Sequence, residues 1–495
     1  MLIKKYFALV LIGSVAFFAG CKTGLLGPSE VSEPAQPAAP PAPVVVDGVR
    51  TSYADVVERT SAAVVRIEAD KKSRAPQGGD EGTDDLFRQF NIPRQAPSGP
   101  RLERGLGSGV IVSADGTILT NNHVVEGADK ITVQLSDDKT FEAKVVGSDK
   151  PSDLAVLKIE AQNLAFLTLG NSDNVRVGDI VLAIGNPLGI GQSVTAGIIS
   201  AKGRRTGLSD GSSYEDFLQT DAPINRGNSG GALVNLNAEL IGINSQILSG
   251  GPSGGNIGIG FSIPSNMAKS VMEQLLRDGK VHRGMLGINI QNLTEDTAKA
   301  LELNDTAGVL VSNVKKGSSA DRAGVQRGDI ITAINGEKTE DSNVLRNKVA
   351  GTPPGSEIRL TIMRGGKQEE LSATLDEFNN DTAENKDARP DAEGETDKRG
   401  QNGKLGLTLQ PVTPQIAKQL GIEAGTEGLV VTDVDPNGAT AEAGVAKGDV
   451  LLEVNRQAVT SVDAVQSALE KSGDRPVLLL ISRRGTTIFV TVRPQ

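Results

Sequence analysis

The stretch GVLVSNVKKGSSADRAGVQRGDIITAING, from Gly308, returns 120 positions later as GLVVTDVDPNGATAEAGVAKGDVLLEVNR, from Gly428. The match reaches upstream, where MLGINIQNLTEDTAKAL corresponds to KLGLTLQPVTPQIAKQL. This repeat limits the fold more than any other feature, because two copies of one small domain must fill the C-terminal part of the chain. At 495 residues the chain exceeds what one hydrophobic core supports, so roughly two to four domains are expected. Between the copies, EFNNDTAENKDARPDAEGETDKRGQN is polar, mixed in charge and poor in apolar residues, which predicts a disordered acidic linker over 377–402.

Upstream of the repeat the pattern changes. SYADVVERTSAAVVRIEAD has the apolar spacing of an amphipathic helix running into a strand. GVIVSADGTILT sets an Asp115-Gly116 turn between two β-branched runs, and ITVQLSDDKTFEAKVVG reads as a second hairpin. Strands and turns continue without helices as far as IGFSIP, which predicts a mainly β body, barrel or sandwich, over 49–264. The stretch 71–105, with Phe87 and Phe90 in a polar setting, is too long for a hairpin loop and suits a functional or assembly loop. SNMAKSVMEQLLRDGKV predicts a connecting helix within 265–282, capped by Ser265.

The start, MLIKKYFALVLIGSVAFFAGC, has two lysines, a short apolar core and small residues before Cys21. This is the pattern of an export signal over 1–20. Residues 21–48 are Pro/Ala-rich and predict an extended tether without a core. Phe18-Ala19-Gly20-Cys21 resembles a bacterial lipobox, with Phe18 where Leu is usual, so Cys21 is the candidate lipidation site. As the only cysteine, Cys21 has no intrachain disulfide partner. A net charge of −10 speaks against a nucleic-acid partner. With two histidines and one cysteine, a zinc site of His and Cys lacks ligands, and neither a metal nor a cofactor is expected.

The chemistry centres on DAPINRGNSGGALV, which places Ser229 among glycines. The pattern fits both the nucleophile elbow of α/β-hydrolases and the serine loop of chymotrypsin-like proteases. A serine nucleophile needs a histidine base and a carboxylate to orient it. An α/β-hydrolase orders these Ser, acid, His, and would require His282, in KVHRG beside the repeat, together with alternating strands and helices that 105–264 lack. His123, in TILTNNHVVEGA, lies where a strand runs out into a short turn. Asp153, in KPSDLAVLKIE, follows a Pro-Ser turn and leads into an apolar strand, so its carboxylate can be shielded and aimed. Asp173, Asp179 and Asp221 lie in polar turns, where turn-making explains them. The order His123, Asp153, Ser229 is the chymotrypsin-like one. The N–H groups of Gly227 and Ser229, joined by Asn228, are the candidate oxyanion donors.

TNNHVV, SDLAVLKI and GNSGGALVN together resemble the signature segments of the HtrA or Do-like (Deg) family of periplasmic serine proteases. The similarity extends to DLFRQF, QTDAPINRGNSGG and GNIGIGFSIPSN; the lipobox-like start and the acidic linker depart from the pattern. The resemblance implies a chymotrypsin-like double β-barrel followed by two PDZ domains, over 283–376 and 403–495. It implies an endopeptidase acting on unfolded or misfolded chains in the cell envelope, a trimer-based homo-oligomer, and chaperone activity beside proteolysis. It implies a specificity pocket at Ile224, Ile247 and Leu248 suited to small aliphatic residues. The PDZ carboxylate loops fall at Met285-Leu286-Gly287-Ile288 and Lys404-Leu405-Gly406-Leu407, with C-terminal peptides as ligands. In the family the loop containing SAKGRRTGLSDGSSYEDF receives a signal from the first PDZ domain, which makes Arg204 and Arg205 candidate regulatory residues. Two other classes compete with the enzyme: a non-catalytic, lipid-tethered chaperone or scaffold, and an α/β-hydrolase esterase.

Overall fold

The computed structural model describes residues 45–46, 49–73, 101–187, 191–206, 213–225, 227–249, 255–378, 401–402, 405–420, 422, 425–472, 475–483 and 485–493. The export signal, Cys21, most of the tether, Phe87, Phe90 and Lys404 lie outside the described residues.

Helix α1 (Ala54–Thr60) passes through one 3-10 turn into β1 (Val64–Ser73), as its apolar spacing predicts. β2 (Arg101–Ser113) and β3 (Thr117–Thr120) form the hairpin around Asp115-Gly116. A single-turn helix α2 (Asn122–Val125) follows, where the sequence suggests a plain turn. β4 (Lys130–Gln134), β5 (Thr140–Asp149) and β6 (Leu154–Ile159) complete a closed six-stranded barrel in the order β1-β2-β3-β6-β5-β4. Closure leaves no edge strand open to aggregation.

The second barrel comprises β7 (Ile180–Gly185), β8 (Ser193–Arg204), β9 (Phe217–Thr220), β10 (Ala232–Asn235), β11 (Leu240–Ser249) and β12 (Asn256–Pro264). It closes in the order β8-β9-β12-β11-β10-β7. One apolar cluster runs through both barrels, from Ile67, Ile118 and Leu157 in the first to Leu182, Ile184 and Ile243 in the second, so the two pack as one body. Helix α3 (Ser265–Asp278) packs over β5, β6 and β11 with Ala268, Val271 and Leu275 buried. Ser265 does not cap this helix. Pro264 occupies the cap position without a side-chain bond, and the Ser265 hydroxyl donates to Gly170 O at 2.6 Å. Being buried, that hydroxyl must find a partner, and it takes a backbone carbonyl instead of the helix's own N–H groups.

The first repeat begins with β13 (Gly284–Met285) and β14 (Ile288–Asn292), followed by α4 (Glu295–Ala300), β15 (Val309–Val314), β16 (Ile330–Ile334), α5 (Ser342–Gly351), β17 (Glu357–Arg364), β18 (Lys367–Thr374) and β19 (Asp376–Glu377). Its main sheet runs β14-β15-β16-β17-β18, while β13 pairs with β19. The second repeat supplies β20 (Gln401–Asn402), β21 (Leu407–Pro411), β22 (Leu429–Val434), β23 (Val450–Val454), α6 (Val462–Glu470), β24 (Val477–Arg483) and β25 (Thr486–Val492). Its sheet order is β20-β21-β22-β23-β24-β25. Both ends of the segment expected to be a disordered linker are therefore paired: Glu377 with Gly284, and Gln401 and Asn402 with Thr408 and Leu407. Residues 379–400 lie outside the described residues.

The repeats share an internal ion pair, Arg364 on Asp329 in the first and Arg483 on Asp449 in the second, each aspartate nearly inaccessible. They also pack on one another. Leu293, Leu310 and Ile330 meet Leu478, Leu480 and Phe489, and Gln291 exchanges two hydrogen bonds with the Phe489 backbone.

Candidate active site

Asp153 ends the 3-10 turn Lys150–Ser152 in the left-handed conformation, φ 54° and ψ 41°. A non-glycine residue there is uncommon and must be held by its surroundings. Its carbonyl accepts from Asn122 N–H at 3.1 Å and Asn121 Nδ2 at 3.0 Å. Its carboxylate accepts three donors: His123 N–H at 3.0 Å, His123 Nδ1–H at 2.8 Å and the Ser245 hydroxyl at 2.9 Å. Single-turn helix α2 is what brings the His123 backbone and ring onto the same carboxylate. With Nδ1 carrying the proton toward Asp153, the free lone pair of the neutral imidazole is on Nε2.

Ser229 comes from the second barrel and is tied to the first through Ser108 on β2, which is fully buried. Ser108 N–H donates to Ser229 O at 2.8 Å. The Ser108 hydroxyl donates to Gly227 O at 2.6 Å and accepts from Asn186 N–H at 2.8 Å. Thr120, two residues before α2, donates to Ser108 O at 2.7 Å. The strand leading to His123 and the loop carrying Ser229 are thus fastened to one residue. The glycines follow from this closeness. Gly230 sits at φ +81°, and a Cβ there would meet Ser108 O at 2.1 Å and Thr120 Oγ1 at 2.3 Å.

Gly227, at φ +98°, lies in the tight turn before Ser229. The Asn228 N–H is spent inside that turn on Asn225 O, at 3.0 Å. Those of Gly227 and Ser229 donate to no described residue. Of the three expected oxyanion donors, two are therefore available. Ile224 is buried in the cluster of the second barrel and Ile247 packs against it, whereas the Leu248 side chain is exposed outside that cluster. Asp179 and Asp221 make turns and ladder contacts, accepting from Arg176 N–H and Ile198 N–H. His282 pairs with Glu377 at 2.6 Å, in the first repeat.

Residues behind the site join it to the first repeat. Asp149, at the end of β5, accepts from Ser152 N–H at 3.0 Å and from the Ser152 hydroxyl, bracing the turn that ends in Asp153. The same carboxylate receives both Nη groups of Arg283, at 2.7 and 2.5 Å, and both residues are buried. The Tyr214 ring lies 4.6 Å from the Arg283 guanidinium, and Tyr214 N–H donates to Pro151 O. Glu215 O accepts from Asn343 and Asn347 of α5 at 2.8 and 2.9 Å. Arg204, at the end of β8, is registered with Phe217, and the side chains of Arg204 and Arg205 are exposed, with no ion pair among the described residues. Burial, and then the charge of Arg205, loosen the proton of Arg346 on α5.

Sequence reasoning names His123, Asp153 and Ser229 as candidates and does not name Ser108, Ser245, Asp149 or Arg283. Among the described residues no group of His, Cys, Asp and Glu is arranged to hold a metal ion, and no helix is long and apolar enough to cross a membrane.

Residues 107–243 match the trypsin-like peptidase domain, and 284–375 and 430–483 each match the PDZ domain. The chain is 40% identical over 466 residues to a "Probable periplasmic serine endoprotease DegP-like" of Chlamydia pneumoniae, covering 91% of each chain. It is 42% identical over 455 residues to a "Probable periplasmic serine protease do/HhoA-like" of Haemophilus influenzae, covering 90% of this chain and 92% of the relative. Among solved structures it is similar to "HtrA-type protease AlgW with tripeptide", at 44% identity and a TM-score of 0.55 over 66% of this chain and 98% of that one.

Proposed function

Because the chain belongs to the HtrA/DegP-like family of periplasmic serine endoproteases, we propose that its peptidase centre is Ser229, His123 and Asp153. The observation that carries this reading is the Asp153 carboxylate held on both the ring and the backbone of His123, with Ser229 fastened across the barrels by Ser108. Ser229 Oγ attacks the substrate carbonyl while His123 Nε2 takes its proton; the tetrahedral oxyanion then points into the free N–H groups of Gly227 and Ser229. Collapse of the intermediate sends the proton from His123 to the leaving amine, and water repeats the cycle on the acyl-enzyme. Asp153, itself oriented by Ser245, fixes the tautomer this requires.

The apolar contact of Ile224 and Ile247 supports a preference for small aliphatic residues before the cleaved bond. Such residues are buried in folded proteins, so the substrates are unfolded or misfolded chains. We place the enzyme in the periplasm by analogy with its relatives, anchored through lipid on Cys21 and assembled in trimers. Chaperone activity and activation by peptides at the first PDZ domain complete the reading. The bonds from α5 to Glu215 support the activation route, and the exposed side chains of Arg204 and Arg205 are its candidate switch residues.

In the test, purified Ser229→Ala loses degradation of unfolded casein while keeping its fold and its suppression of aggregation. Casein cleavage at the wild-type rate, in a preparation free of host protease, sinks the assignment.

A further inference from the structure

The two carboxylate loops lie in different surroundings. In the first repeat β14 is the terminal strand of its sheet: β15 takes one edge, and no described strand takes the other. In the second repeat β22 takes the corresponding edge of β21, and β20 takes the other. Gln401 is registered with Thr408 and Asn402 with Leu407, antiparallel.

A PDZ ligand adds as a strand to this same edge, with its terminal carboxylate held by the loop just before it. Since that loop lies at the N-terminal end of β21, a ligand strand ending there must run antiparallel to β21. β20 runs that way. It covers the edge at Leu407 and Thr408, the positions nearest the loop, where the last residues of a ligand would lie. We propose that the peptide-adding edge of the second PDZ domain is closed by the chain itself, with Gln401–Asn402 as a built-in occupant. The proposal rests on reading Lys404-Leu405-Gly406-Leu407 as a carboxylate loop.

The repeat supplies the cause. Aligned on the loops, Asn402 occupies the place of Arg283. Arg283 is drawn off its sheet edge by the buried Asp149 and the face of Tyr214, and the following β13 pairs with β19. Asn402 carries no charge with which to pair a buried carboxylate, and the same segment instead pairs with β21. A tethered strand this close acts at an effective concentration in the millimolar range. A free peptide therefore sees only the fraction of molecules whose edge is open, and its apparent affinity falls by that fraction.

The test uses the full chain carrying Ser229→Ala and a decapeptide ending in a free Val carboxylate, bearing a photo-crosslinker, with its amidated twin as control. Crosslinks are assigned to the first or second PDZ domain by mass spectrometry. The parent is compared with Gln401→Pro/Asn402→Pro, which removes the ladder N–H whichever of the two residues faces β21. A second variant carries a Gly-Ser-Gly-Ser insertion after Asn402, which loosens the fold-back without altering either residue. Half-saturation of crosslinking in the second domain should move about tenfold lower in the double variant, and lower in the insertion variant too, with the first domain unchanged. Equal, carboxylate-dependent half-saturation in parent and variants would overturn the closed edge while leaving the loop reading intact. If even the variants show no carboxylate-dependent crosslink in the second domain, the loop reading fails and the proposal with it.

Discussion

The two PDZ domains share a fold, a strand register and an arginine paired with a buried aspartate, yet they are attached to the molecule in opposite ways. The first is bonded to the protease body at two points, Arg283 on Asp149 and the α5 asparagines on Glu215. Among the described residues, the second domain is tied to the first by hydrogen bonds and ion pairs. They include Thr297 with Thr491, Thr487 with Ser312 O, Arg475 with Glu302 and Arg493 with Asp296. The core is common and the attachments differ: the segment before the first copy's sheet is bonded to the protease body, whereas the matching segment of the second pairs with β21.

The largest expected effect comes from Arg283→Ala. It leaves the Asp149 carboxylate buried without its cation, which costs about 3–5 kcal/mol in comparable cases, and it slackens the turn ending in Asp153. Urea unfolding of the protease body should show that loss, whereas Asn402→Ala at the matching place should stay within about 0.5 kcal/mol. Equal losses at the two positions would erase the contrast.

Next comes α5. Replacing Asn343 and Asn347 with Ala removes two donors from Glu215 O, about 1 kcal/mol each. The ratio of small-substrate turnover with and without a C-terminal peptide should move toward one. The matching pair on α6, Asp463 and Ser467, is exposed and makes no side-chain hydrogen bond or ion pair with the protease body among the described residues, so its double alanine variant should leave the ratio unchanged. A ratio insensitive to the α5 pair would break the wiring of the first domain.

The smallest effect depends on pH. Asp216, beside Glu215, has its carboxyl pushed up to about 6, by burial first and then by the charges of Asp173 and Asp341, against the pull of Lys202. Because the folded state holds this proton more tightly than the unfolded chain, the stability it contributes is complete below about pH 4 and is lost as pH rises through about 6. Asp216→Asn should therefore raise stability by about 1–2 kcal/mol at pH 7.5 and change little at pH 4. A gain of equal size at both values would exclude titration of Asp216 as its source.

What could be read in the sequence follows the same physical divide. His123, Asp153 and Ser229 stand out because a serine nucleophile demands those residue types beside particular turns, and the barrels because each hairpin has a local turn. The repeat was visible as plain similarity. Ser108 and Ser245 were not, since serine is common in strands and their partners are reached only when distant strands close the barrels. The apolar seam of Leu310 and Ile330 against Leu478 and Phe489 was equally hidden, because an interface side chain has the same local pattern as a core one. Ser265 shows the reverse error: a cap-like residue whose buried hydroxyl donates to a distant carbonyl, Gly170 O, instead of capping the helix.

The most direct measurement is of Ser229, the proposed nucleophile. Full-length protein is labelled with a fluorophosphonate, and the modified residue is mapped by mass spectrometry. The account predicts a single adduct on Ser229 whose rate of formation falls by orders of magnitude in His123→Ala. An adduct on another serine, or labelling of Ser229 at the same rate without His123, would contradict it.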